Sequence, residues 1–266
     1  MPVKPSSLSA TAPAPAVHGA LFELSNARGM RVAISERTAA PVSWIAPDRY
    51  GRMAQVLAYT DAPGLAAGAR WRACAEDGGL ALQLTGIDPV AAHGRSVLAQ
   101  IDYRLDDEGR LTVDYEAVAG ETMVAAPRFN LNGGVADVGD HMLRIDADHY
   151  LRSDAGAGAG SAAMARVGGT AFDFRRAAAL GARLAWPEPQ FAAGGGFDHR
   201  YCLPAPALRE LACLLDPGSG RRLRVATSSL VLHLCTGRQL DGVVLAGVCR
   251  TGRVHRHTTV YRLSVQ

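Results

Sequence analysis

Apolar and polar positions alternate with a period of two along much of this chain. Leu21-Phe22-Glu23-Leu24 and Met30-Arg31-Val32-Ala33-Ile34 alternate on either side of Asn26–Gly29. A strand turns successive side chains to opposite faces, so the spacing predicts strand, turn, strand. Pro41–Ile45 reads as a further short strand, closed by the turn cluster Pro47-Asp48-Arg49-Tyr50-Gly51, and Gln55–Tyr59 resumes the pattern. Trp71–Cys74, Leu80–Thr85 and Val97–Leu105 follow. Asp106-Asp107-Glu108-Gly109 then leads into Leu111–Ala117, and matched strands around an acidic glycine turn predict a hairpin. Strands are also expected at Met142–Ile145, Leu223–Thr227, Ser229–Cys235 and Thr258–Val265, with a short helix as the alternative over Arg176–Leu184. Many short strands with turn residues between them and little helix predict an all-β sandwich or barrel.

Composition narrows the picture. With 266 residues the chain can bury a large core as one domain. Residues 1–17, rich in Pro, Ala and Ser, read as a disordered leader, and 18–266 as the single domain. Net charge is +3, and Arg250, Arg253, Arg256 and Arg262 make the one basic cluster. That is too thin a footprint for a nucleic-acid partner. No segment is long and apolar enough to span a bilayer, so no membrane partner is expected. Cys74, Cys202, Cys213, Cys235 and Cys249 form no C-x-x-C pair, which points to a reducing, cytoplasmic setting; Cys213 and Cys235 read as small core residues.

The polar chemistry concentrates in Gly194-Gly195-Gly196-Phe197-Asp198-His199-Arg200-Tyr201-Cys202-Leu203. Glycines permit close backbone approach, and the residues after them carry donors and acceptors, as a loop holding a small polar ligand would. His93 reads as a solvated loop histidine and His233 as a core or cleft histidine on an alternating strand. His255 and His257 share a strand face, but no Asp, Glu or Cys stands at strand spacing beside them, so no metal is expected. Motifs for serine hydrolases, P-loop enzymes and zinc proteases are absent, and Gly156-x-Gly158-x-Gly160 lacks a dinucleotide-binding context, so no cofactor is expected.

Six phrases, in order, resemble the aldose 1-epimerase (galactose mutarotase) family. They are Pro47–Gly51 with Gln55-Val56-Leu57; Phe129-Asn130-Leu131-x-Gly133 with Asp140-His141 to Tyr150-Leu151; and Gly169-Thr170-Ala171-Phe172-Asp173-Phe174-Arg175. Gly196-Phe197-Asp198-His199-Arg200-Tyr201 follows, then Asp216-Pro217-x-Ser219-Gly220-Arg221 with Leu240-Asp241-Gly242, and finally Thr259–Leu263. The resemblance implies a large β-sandwich of the galactose mutarotase type whose concave face holds a hexose-like monosaccharide. It implies substrate-binding roles for Asp198 and His199, with Arg128 beside them, and structural hydrogen bonding for His141.

Members of that family interconvert α and β anomers with an acid histidine and a base glutamate. Matching Phe129-Asn130-Leu131 to the family puts Ala126 at the acid position, and Cys249–His257, where the glutamate should fall, contains no carboxylate. Two family segments expected between Asp61 and Trp71, one carrying a histidine and one an arginine, have no counterpart there. The resemblance thus implies a carbohydrate-binding protein without the usual proton-transfer pair, or an active epimerase with a displaced one. It leaves the oligomeric state open.

Overall fold

The computed structural model describes residues 9–10, 20–36, 38–58, 70–75, 81–88, 97–118, 127–152, 163–204, 208–237, 240–248 and 255–266. The first sheet is a meander in chain order: β1 (Ser9–Ala10), β2 (Leu21–Ser25), β3 (Arg31–Ser35), β4 (Pro41–Pro47) and β5 (Met53–Gln55). β1 pairs with β2 inside the segment expected to be a disordered leader; the rest of 1–17 lies outside the described residues.

β6 (Arg70–Ala75), β7 (Ala81–Asp88), β8 (Val97–Leu105) and β9 (Arg110–Val118) follow as a second antiparallel meander. Then come β10 (Arg128–Phe129), β11 (Met142–Ile145), β12 (His149–Leu151), β13 (Met164–Arg166) and β14 (Ala178–Ala179). Two short helices, α1 (Leu180–Leu184) and α2 (Pro189–Gly194), precede β15 (Asp198–Cys202), β16 (Arg209–Leu215), β17 (Arg221–Thr227), β18 (Val231–Cys235), β19 (Val243–Gly247) and β20 (His255–Val265). No helix among the described residues is long and apolar enough to cross a membrane.

Two sheets make the sandwich. The larger has the order β14-β11-β16-β17-β20-β9-β8-β7-β6, the smaller β10-β19-β18-β15-β12-β13. Period-two burial drives them together. Leu105, Leu111, Tyr261 and Val225 form one inward row across β8, β9, β20 and β17, and all four are buried. From the smaller sheet Phe129, Leu245, Leu234, Leu232 and Tyr201 point back at them. The Phe129 and Tyr261 rings meet at 5.4 Å, and the Tyr261 hydroxyl donates to the Leu245 carbonyl at 3.1 Å, so ring contact and hydrogen bond join the two sheets. The expected all-β sandwich is the observed fold.

Three of the family-like phrases meet in one structural knot. Arg221 donates through Nη1 to Leu131 O (2.9 Å), through Nε to Pro47 O (3.2 Å) and through Nη2 to Arg52 O (3.1 Å). Ser219 Oγ also donates to Leu131 O (3.0 Å), and Arg49 Nη2 donates to Pro217 O (2.7 Å). His141 serves the structural role expected of it, its Nε2 accepting from Leu131 N–H at 2.9 Å.

Candidate functional site

The smaller sheet has a core face and an open face, and the antiparallel register decides which residue goes where. Arg128 pairs with Val244, Val244 with Cys235 and Cys235 with Asp198. These four residues form one cross-strand row on the open face. The next row contains Ala246, His233, Arg200 and Leu151. The row after it includes Val231, Cys202, His149 and Arg166. Strands lie about 4.8 Å apart, so Arg128 and Asp198 are separated by roughly 14 Å of backbone, with Val244 and Cys235 between them.

Asp198 stands 75% exposed at its side chain and accepts from His233 Nε2 at 2.7 Å. A carboxylate only accepts, so the imidazole carries its hydrogen on Nε2. This bond, ahead of the opposing effect of burial, holds the Asp198 carboxyl below its ordinary value. Arg128 is more enclosed, with its side chain 19% exposed. Its Nη1 donates to Thr236 O (2.9 Å), Asp241 Oδ1 (3.0 Å) and Gly242 O (3.4 Å). The other guanidinium N–H groups have no hydrogen-bond partner among the described residues. A Cβ on Gly242 would fall 2.4 Å from Arg128 Cγ, so only glycine leaves the stem its place.

Gly196 sets the approach of β15 to β18. A Cβ there would lie 2.2 Å from Gly237 O and 2.7 Å from Thr236 Oγ1. Thr236 Oγ1 accepts from Phe197 N–H at 3.1 Å, and Thr236 N–H donates to Phe197 O at 3.0 Å, locking the strands in register just before Asp198. The expected ligand loop is therefore corrected in part. α2 is capped by Gly195, in the left-handed region at φ 70°, and Asp198–Cys202 is a strand inside the sheet.

The same alternation corrects the expectation that His199 lines the cleft. His199 is 2% exposed and faces the core. Its ring centroid lies 4.2 Å from that of Phe172 and 6.4 Å from that of Phe197, with Tyr150 and Phe191 also around it. Nδ1 accepts the Asp198 N–H at 3.1 Å, and Nε2 finds no hydrogen-bond partner among the described residues. Burial drives its pKa down to about 4, so the ring is neutral at pH 7.

Cys235 is corrected as well. It is half-buried on the open face, directly across from Asp198, and not a core residue; Cys213 is also half-buried. His233 was legible only as a core or cleft histidine; it is buried, and its partner was not legible. The only signal was spacing: His233 and Cys235 stand two apart, on one strand face. Of the other histidines, the His257 ring packs on Tyr115 at 5.3 Å, while His93 and the His255 side chain lie outside the described residues. Ala126 and residues 249–254 lie outside them too.

A sandwich with a polar row across one face of its smaller sheet defines the class, an all-β sandwich protein. Comparison with known proteins makes the class particular. The family model described as aldose 1-epimerase matches residues 64–255, and the chain belongs to that family. Galactose mutarotase from Sus scrofa is 33% identical over 172 residues, covering 62% of this chain and 47% of that protein. Aldose 1-epimerase from Escherichia coli is 31% identical over 155 residues, covering 56% and 44%. The chain thus spans about half the length of the curated relatives it matches. In fold it is similar to galactose 1-epimerase from Lactobacillus acidophilus, with TM-score 0.75, 20% identity and 98% of each chain covered. The aldose epimerase homologue from C. elegans gives TM-score 0.70 at 14% identity, covering 92% of this chain and 98% of that one.

Proposed function

We propose that the chain is a carbohydrate-binding protein of the aldose 1-epimerase type that holds a hexose-like monosaccharide on the open face of the six-stranded sheet and leaves its anomers unexchanged. The observation that carries this reading is the row Arg128–Val244–Cys235–Asp198. Its ends offer a guanidinium donor and an exposed carboxylate acceptor, suited to hydroxyls on opposite edges of a sugar ring, and apolar Val244 lies between for a ring face. His199 supports the site from behind, through the Asp198 N–H, without touching a ligand.

The loss of turnover rests on the residue correspondence with the family. Ala126 cannot transfer a proton, and the interval expected to supply the base has no carboxylate. General acid–base catalysis contributes about 10²–10⁴-fold for each proton transfer, so losing both leaves little above the spontaneous rate. The three thiols described as free, Cys202, Cys213 and Cys235, suit the cytoplasmic setting.

A second reading is an active epimerase with displaced groups, and the Asp198–His233 pair favours it. A histidine oriented by a carboxylate on the same face is a competent proton-transfer group. Polarimetry on freshly dissolved α-D-glucose and α-D-galactose separates the two. A rate equal to the buffer blank, with line broadening of the sugar in ligand-observed NMR, is the expected result. Catalysis abolished by His233→Gln would establish the second reading, and neither binding nor catalysis would overturn both.

A further inference from the structure

Asp198, the acceptor of the carbohydrate reading, also belongs to a donor set whose sulfur and imidazole suit a metal ion. One ligand-type atom each from Asp198, His233 and Cys235 lies within 4.8 Å of the others. The register produces this cluster: His233 and Cys235 share a face of β18, and Asp198 sits directly across from Cys235 on β15. Both strands are interior to the sheet, so the three side chains project from hydrogen-bonded backbone on either side. We propose that Asp198, His233 and Cys235 form a binding site for a zinc-class divalent cation.

The donor types select the ion. Thiolate and imidazole favour zinc and its transition-metal neighbours, whereas calcium and magnesium want oxygen alone. With ligands about 2.0–2.3 Å from a tetrahedral zinc, neighbouring donors stand roughly 3.3–3.8 Å apart. The 4.8 Å cluster closes to that spacing by small side-chain rotations, and Asp198 and His233, now 2.7 Å apart, must separate slightly. Asp198 is free to do so, since its side chain is 75% exposed. Binding releases one proton, from the Cys235 thiol. His233 exchanges its Nε2 hydrogen for one on Nδ1 through solvent, with no net proton change. Three protein ligands leave a fourth position toward the exposed side, open to water or to a hydroxyl of a bound molecule. The site shares Asp198 and Cys235 with the row of the carbohydrate reading, but it needs no sugar to form, and cobalt binding tests it independently of sugar binding.

Cobalt(II) is the probe, because a sulfur-to-cobalt charge-transfer band in the near ultraviolet reports thiolate ligation. The full chain, treated with chelator and then titrated with Co²⁺, should develop that band at one equivalent and lose it to one equivalent of Zn²⁺. Cys235→Ser should abolish the band, and Cys202→Ser and Cys213→Ser should keep it. Asp198→Asn and His233→Gln should weaken cobalt binding by more than about 10–100-fold, the range that merely supporting groups produce. If Cys235→Ser fails to fold, judged by far-UV circular dichroism, whichever of those two variants folds decides. Absence of the band in the wild-type chain, its survival in a folded Cys235→Ser, or unchanged cobalt affinity in both Asp198→Asn and His233→Gln would overturn the site.

Discussion

The two faces of the six-stranded sheet contain the same residue types put to opposite ends. On the core face, His199 is enclosed by Phe172, Phe197, Phe191 and Tyr150 and kept neutral. On the open face, His233 donates to an exposed aspartate and keeps company with a cysteine and two arginines. The strands are adjacent and the pairing is regular. The position of a residue, odd or even, within its strand decides whether an imidazole becomes filler for an aromatic core or part of a polar site. Chemistry named from residue type alone would treat the two alike.

The largest test of this contrast breaks the core face. Phe172 touches Tyr150, Phe191, Phe197 and His199 and is fully buried, so Phe172→Ala should cost about 3–5 kcal/mol in chemical denaturation. A loss below 1 kcal/mol would mean that the aromatic cluster does not hold the sheet.

Next comes pH. His199 has its pKa lowered to about 4, whereas an unfolded histidine titrates near 6.5. The unfolded chain therefore gains a proton first as pH falls. Stability is full above 6.5, declines between 6.5 and about 4, and by then has lost about 3 kcal/mol from this residue. His141, also lowered by burial, adds to the same slope. The open face behaves otherwise. Asp198 is lowered by its bond from His233, so its contribution is present above the ordinary carboxylate value of 3.8 and is lost only as pH falls below it. Urea titrations from pH 7 to 3 should show His199→Leu flattening the limb between 6.5 and 4, with Asp198→Asn altering only the more acid limb. The reverse assignment would contradict the division of the faces.

The smallest effect on stability, and the sharpest on binding, belongs to the open face. Asp198→Ala should cost only about 1–3 kcal/mol, the cost of leaving the buried His233 N–H without its acceptor. It should weaken monosaccharide binding about 10–100-fold, the worth of a hydrogen bond to a charged group. Saturation-transfer NMR on the folded variant checks it, and full binding by Asp198→Ala would move the site elsewhere.

Much of the fold was legible in the chain. Val97–Leu105 and Met142–Ile145 are strands over the residues that the alternation marks, and the acidic hairpin tip forms where Asp106–Gly109 predicts it. Strands of two or three residues, such as Arg128–Phe129 and Met164–Arg166, were not, because a period needs more positions than they supply. Asp198–Cys202 was read as a loop because the glycines before it mask a clean exposed–buried alternation. The family-like phrases proved to encode mostly architecture. Pro47–Gly51, Phe129–Gly133 and Asp216–Arg221 meet at the Arg221 knot, and Phe172, Phe174 and Phe197 build the aromatic cluster. Such phrases place a chain in a fold more surely than they assign its chemistry.

By itself the sequence determined the all-β class, the family and the presence of polar residues near Gly196, because local alternation, turn chemistry and ordered motifs are properties of neighbouring residues. Only the tertiary structure decided that Asp198 faces His233, Cys235 and the row leading to Arg128 while His199 turns inward. Pairing register is set by burial across strands far apart in the chain, and a shift of one residue would exchange the two faces.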